Sequence, residues 1–121
     1  MTIAFDHVNI GATDLAATRD FLVDLLGVVE GNRPAFAFPG CWLYVGDQPV
    51  IHLTLRTEAP STAGVIDHVA FAGFDFETTR ARLERDGYAY HPTGIPGGPR
   101  QLFVTGPDGL KIELQCRSLP D

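Results

Sequence analysis

The chain has 121 residues, 45% of them apolar and 20% charged, with a formal net charge of −6. That length suits one compact domain that buries a core without staples, and nine scattered basic residues argue against a nucleic-acid or membrane-binding surface. No apolar run approaches ~20 residues, so no spanning helix is expected.

Ile3 to Ile10 alternates, with Ile3, Phe5, His7 and Asn9 on one side and Ala4, Asp6, Val8 and Ile10 on the other. This predicts a strand. Thr13 or Asp14 offers an N-cap for a helix carrying Leu15, Thr18, Leu22, Leu25 and Leu26, and Gly27 stands where a helix would end. Gly31 to Pro34 reads as a turn, Pro34 to Phe38 as a second strand, and Cys41 to Val45 as a third with Trp42 and Tyr44 on one face. A turn at Gly46 to Pro49 then leads into a strand over Val50 to Leu55, with Val50, His52 and Thr54 sharing a face. After a connector the order replays: strand Ile66 to Phe71, helix Asp75 to Asp86, short strand Tyr88 to His91, a Gly/Pro loop over Thr93 to Pro99, strand Gln101 to Thr105, a turn, strand Leu110 to Cys116, and a frayed polar tail from Arg117. Cys41 and Cys116 read as buried reduced thiols. Met1 runs straight into a strand pattern without a leader, so the cytoplasm is the expected compartment.

The two halves are copies in outline. Asp6-His7-Val8 recurs 61 residues on as Asp67-His68-Val69, and the same offset pairs Asp14 with Asp75, Thr18 with Thr79, Leu22 with Leu83, and His52 with Glu113. The fold class expected is α+β, two βαβββ modules (1–56 and 65–121, joined by 57–64) in one domain. If the first and last strands of each half are neighbours, and the halves face each other about a pseudo-twofold axis, then His7, His52, His68 and Glu113 converge. Imidazoles and a carboxylate form a normal shell for one divalent metal ion, whether Zn, Ni, Mn, Co or Fe(II). Phe5, Asn9, Phe36, Trp42, Tyr44, Thr54 and Phe103 share the parity of these residues and are expected to line a substrate cavity. Arg33 and Arg100 flank turns and are candidates to hold an anionic group. His91 falls outside the register and reads as surface.

The duplicated order, the Asp-His-Val at the head of each half and the closing Gly106-Pro107-Asp108-Gly109-Leu110-Lys111-Ile112-Glu113-Leu114 resemble the vicinal oxygen chelate superfamily, the glyoxalase, bleomycin-resistance and extradiol-dioxygenase group. The resemblance covers Phe5 to Gln115. It implies an eight-stranded cupped sheet with helices on its convex side, and metal ligands at His7, His52, His68 and Glu113. It also implies a small-molecule substrate with two adjacent oxygens. The chemistry implied is that of a lyase or isomerase working through a metal-stabilised enolate-type intermediate, with Glu113 as ligand and proton shuttle. Two departures stand out. His52 lies where common bacterial glyoxalases carry Glu, and Gly11 lies where they carry an Arg that grips glutathione.

Two other chemistries stay open on the sequence. Fe(II) ring cleavage needs only the triad His7, His68 and Glu113, with His52 outside the metal shell. A sequestering protein would keep the histidines without catalysis. A homodimer is expected, to cover exposed sheet edges, and the sequence leaves open whether one site draws its two halves from one chain or from two.

Overall fold

The strands that open and close each half lie side by side and parallel, which is what a βαβββ module requires when its helix carries the chain back across the sheet. The structure, a computed structural model, describes residues 5–58, 68–94 and 100–117. It divides into two units, Met1–Pro60 and Ser61–Asp121. The fold is α+β, and the eight strands fall into two sheets of four.

In the first unit, β1 (Val8–Ala12), α1 (Leu15–Leu26), β2 (Val29–Gly31), β3 (Gly40–Val45) and β4 (Gln48–Leu55) form a sheet ordered β1-β4-β3-β2. Asp14 caps α1, its side chain accepting from the Ala17 N–H at 3.0 Å. Gly27 ends the helix with φ at 75°, a left-handed conformation that costs glycine little, while its N–H bonds to Val23. The helix buries Thr18, Leu22 and Leu25. It packs on β3 and β4, which bury Cys41, Leu43, Ile51 and Leu53. Each fully buried leucine of this layer stabilises the unit by roughly 1.5–3 kcal/mol. Trp42, His52 and Thr54 alternate with those residues and so occupy the face away from α1.

The second unit repeats this with β5 (Val69–Asp75), α2 (Phe76–Arg85), β6 (Ala89–Gly94), β7 (Arg100–Thr105) and β8 (Lys111–Arg117), ordered β5-β8-β7-β6. The repetition reaches the rungs of the ladder. Val8 pairs with Ile51 and Asn9 with His52; 61 residues on, Val69 pairs with Ile112 and Ala70 with Glu113. β5 then takes in an extra residue, Gly73 (φ 106°), where the register shifts before Asp75 caps α2.

Three expectations need correcting. Pro34 to Phe38 is not a strand. Pro34 lacks a donor, and Phe36 and Phe38 remain 44% and 49% exposed, stacked on one another under Arg33. The second strand is instead Val29–Gly31, pairing with Tyr44, Leu43 and Trp42. The opening strand begins at Val8 rather than Ile3 within the described residues, so His7 stands just ahead of it, and Arg117 closes β8 rather than opening a frayed tail. Ile3, Ile66, Asp67 and residues 95–99 of the Gly/Pro loop lie outside the described residues. Cys41 and Cys116 are free and buried, and burial pushes both thiols above their ordinary value. No helix among the described residues is long and apolar enough to cross a membrane.

Candidate metal centre

Three rings are stacked at the head of the first unit. His52 projects from the middle of β4, and the His7 imidazole lies over one side of it with centroids 3.8 Å apart and planes 10° from parallel. Trp42, its rung neighbour on β3, covers the other side at 4.0 Å and 10°. The stack fixes the orientation of both histidines.

A hydrogen bond then fixes one nitrogen of His7. His7 gives its Nδ1 proton to Asp6 Oδ2 at 2.6 Å. Asp6 is itself tied down by Gln48 Nε2, which donates to its backbone carbonyl at 3.2 Å and to Oδ1 at 3.3 Å. The His7 hydrogen bond holds the Asp6 carboxyl below its ordinary value. His52 Nε2 is buried with no hydrogen-bond partner. Burial, and after it the neighbouring His7, push the His52 imidazole below its ordinary value, which favours the neutral ring and its one free lone pair. A histidine with one nitrogen committed to a carboxylate or carbonyl and the other uncommitted is how proteins prepare an imidazole for a metal.

The second unit contributes a different pair. His68 Nε2 stands 3.3 Å from Glu113 Oε1, the Glu113 side chain being only 16% exposed. Phe103, the rung neighbour of Glu113, meets the His68 ring edge-on at 5.2 Å. Trp42 and Phe103 are themselves 61 residues apart, so each half sets an aromatic ring against its histidine. Among the described residues no three or more His, Cys, Asp or Glu side chains gather as a set for a metal. Each unit holds a pair. Imidazole and carboxylate are donor types that fit a divalent cation, and His7 has its second nitrogen engaged.

The residues expected to contact substrate are placed unevenly. Asn9 and Thr54 lie on the face of His52, with Thr54 Oγ1 donating to Asn9 Oδ1 at 3.1 Å. Tyr44 is held by its hydroxyl, which donates to the Asn32 carbonyl at 2.6 Å. Phe36 sits off the strands, 6.3 Å from Trp42, and Phe5 precedes β1 and is 74% exposed. Arg100 differs from its expected position. It shares the side of Leu102, Val104 and Cys116, which α2 covers, and its guanidinium lies 3.4 Å from the Phe76 ring centroid and 3.5 Å from Glu77. A strand-end arginine gives no parity signal of its own, and the helix captured it. His91 is exposed on β6, its rung partner being Phe103. Asp6 was not singled out as a site residue by the sequence, although an aspartate stands directly before the histidine in both copies of the motif.

Over residues 4–114 the chain matches the family described as the Glyoxalase/Bleomycin resistance protein/Dioxygenase superfamily. No curated protein matches it at the sequence level. Among solved structures it is similar to a glyoxalase family protein from Bacillus anthracis (21% identity, 98% of each chain covered, TM-score 0.79). It is similar also to one from Enterococcus faecalis (28% identity, 93% of this chain and 96% of that one, TM-score 0.69). A third is the fosfomycin resistance protein FosX from Mesorhizobium loti (19% identity, 98% and 95% covered, TM-score 0.73).

Proposed function

Because this chain belongs to the Glyoxalase/Bleomycin resistance protein/Dioxygenase superfamily, we propose that it is a divalent-metal-dependent lyase or isomerase acting on a small molecule with two adjacent oxygens. His7, His52, His68 and Glu113 are its metal ligands. The observation that carries this reading is the partnerless, buried Nε2 of His52 beside a His7 whose Nδ1 is already engaged. A buried imidazole nitrogen left without a partner costs stability, and a cation is a partner that a neutral imidazole suits.

A divalent ion supplies Lewis acidity toward the substrate oxygens. The chain's own groups do the rest. Asp6 holds the His7 imidazole in the tautomer that leaves its Nε2 bare. Glu113, which stands 3.3 Å from His68 Nε2, takes and returns a substrate proton as general base. Asn9, Trp42, Thr54 and Phe103 contact the substrate. A second copy of the chain, added at one of the edge strands β1, β2, β5 or β6, makes the homodimer. A reducing cytoplasm suits the two free thiols.

Metal analysis of the purified protein tests this. One divalent ion per chain is expected, lost in His7→Ala and His68→Ala and kept in His91→Ala. Equal occupancy in all three would reject the assignment. Turnover is then sought with hemithioacetals, with epoxides plus thiols, and with 2-acyl thioesters; catechols with oxygen uptake under Fe(II) cover ring cleavage.

A further inference from the structure

Thr54 stands between two glycines. Its rung neighbours are Gly11 on β1 and Gly40 on β3. Neither has a side chain, and an arginine is laid over each. A Cβ at Gly11 would come 2.9 Å from Arg56 Cδ and 3.4 Å from its Nη1, and one at Gly40 would come 2.9 Å from Arg33 Nη2. Arg56 follows Thr54 by two residues, and its backbone N–H is fixed to the Ala12 carbonyl at 2.9 Å. Arg33 arrives from the loop before β3. It donates to the Phe38 carbonyl at 2.9 Å and lies 4.8 and 5.1 Å from the ring centroids of Phe36 and Phe38.

The donors of this patch outnumber its acceptors. A guanidinium offers five N–H groups, of which one on Arg33 is spent on Phe38. Thr54 donates to Asn9 Oδ1, which leaves the Asn9 amide N–H groups facing outward from that bond. Among the described residues neither arginine pairs with a carboxylate, in a chain whose other basic side chains on α1 and α2 pair freely with Asp and Glu.

We propose that Arg33 and Arg56, with Asn9 and Thr54 between them, form a subsite for an oxyanion of the substrate, a carboxylate or a phosphoryl group. Thr54 follows His52 by two residues on the same side of β4, so the anion binds about 7 Å from the His52 position along the strand. The substrate class narrows to small molecules with adjacent oxygens at one end and an oxyanion one short chain away. That identity rests on the proposed function; the binding of an anion does not.

The test is a titration of the metal-free protein with inorganic phosphate and, separately, with acetate, followed by NMR at the Arg Nε–H, Asn9 and Thr54 resonances. Saturable shifts confined to these groups are expected. Binding should weaken about tenfold in Arg56→Gln, recover in part in Arg56→Lys, and stay unchanged in Arg85→Gln on α2. Gly11→Ala, which alters no charge but displaces the Arg56 stem, should weaken it as well. The tighter of the two anions names the group. Absence of saturation by either anion, or equal affinity in Arg56→Gln and the unaltered chain, would overturn the subsite. Since no metal is present, failure here leaves the metal ligands untouched, and loss of metal in the histidine variants leaves this subsite standing.

Discussion

The indole of Trp42 lies flat on the imidazole of His52, centroids 4.0 Å apart and planes 10° from parallel. Trp42 is the chain's single tryptophan, so its emission reports on one imidazole. Protonation of His52, or capture of its Nε2 by a cation, places positive charge against the ring and quenches it. Stepwise addition of Zn²⁺ or Co²⁺ should therefore change the fluorescence until one equivalent is bound, and the same addition to His52→Ala should not.

The pH dependence has a definite sign. Burial lowers the His52 pKa from the ordinary imidazole value of 6.5, so just below that pH the unfolded chain binds a proton the folded chain refuses. The metal-free protein has the full contribution above about pH 6.5 and loses it as the pH falls toward the folded value. Denaturation midpoints should drop between pH 7 and pH 5.5, and His52→Phe should flatten that drop. Trp42 emission should titrate with a midpoint below 6.5.

Asp6→Asn keeps the size of the side chain and removes the carboxylate that accepts from His7 Nδ1. Metal affinity should fall about 10- to 100-fold, the usual range for loss of such an orienting group. Calorimetric titration checks it, and unchanged affinity would remove Asp6 from the site.

Leu22 and Leu83 are both fully buried at matched positions of α1 and α2. Each Leu→Ala change should cost about 2–5 kcal/mol. The caps repeat too, and Asp14→Ala and Asp75→Ala should each cost about 1 kcal/mol. Urea denaturation of the four variants measures both pairs.

The periodic parts of this fold were legible in the sequence for a physical reason. α1 buries one side of β3 and β4, so Cys41, Leu43, Ile51 and Leu53 must alternate with Trp42, His52 and Thr54, and reading one set gives the other. The N-cap at Thr13 or Asp14 and the Gly27 stop could be read because their chemistry is local, and Asp14 proves to be the cap. β2 could not be: three residues, all exposed, carry no alternation, and the aromatic pattern of Phe36 and Phe38 imitated a strand while serving Arg33. Arg100 was misplaced because an arginine with a long stem can lie toward a helix as easily as toward solvent. The engagement of His7 Nδ1 depends on how Asp6 is turned, and the isolation of His52 Nε2 on what packs around it; neither leaves a mark in the order of residues.

The rung-for-rung match between β1/β4 and β5/β8 makes residues 52 and 113 interchangeable addresses. Under the proposed assignment, writing Glu at 52 or His at 113 would change the donor set by one formal charge while leaving each side chain on the same step of its ladder. The scaffold would thus let a preference among cations be retuned by one substitution that leaves the backbone as it was.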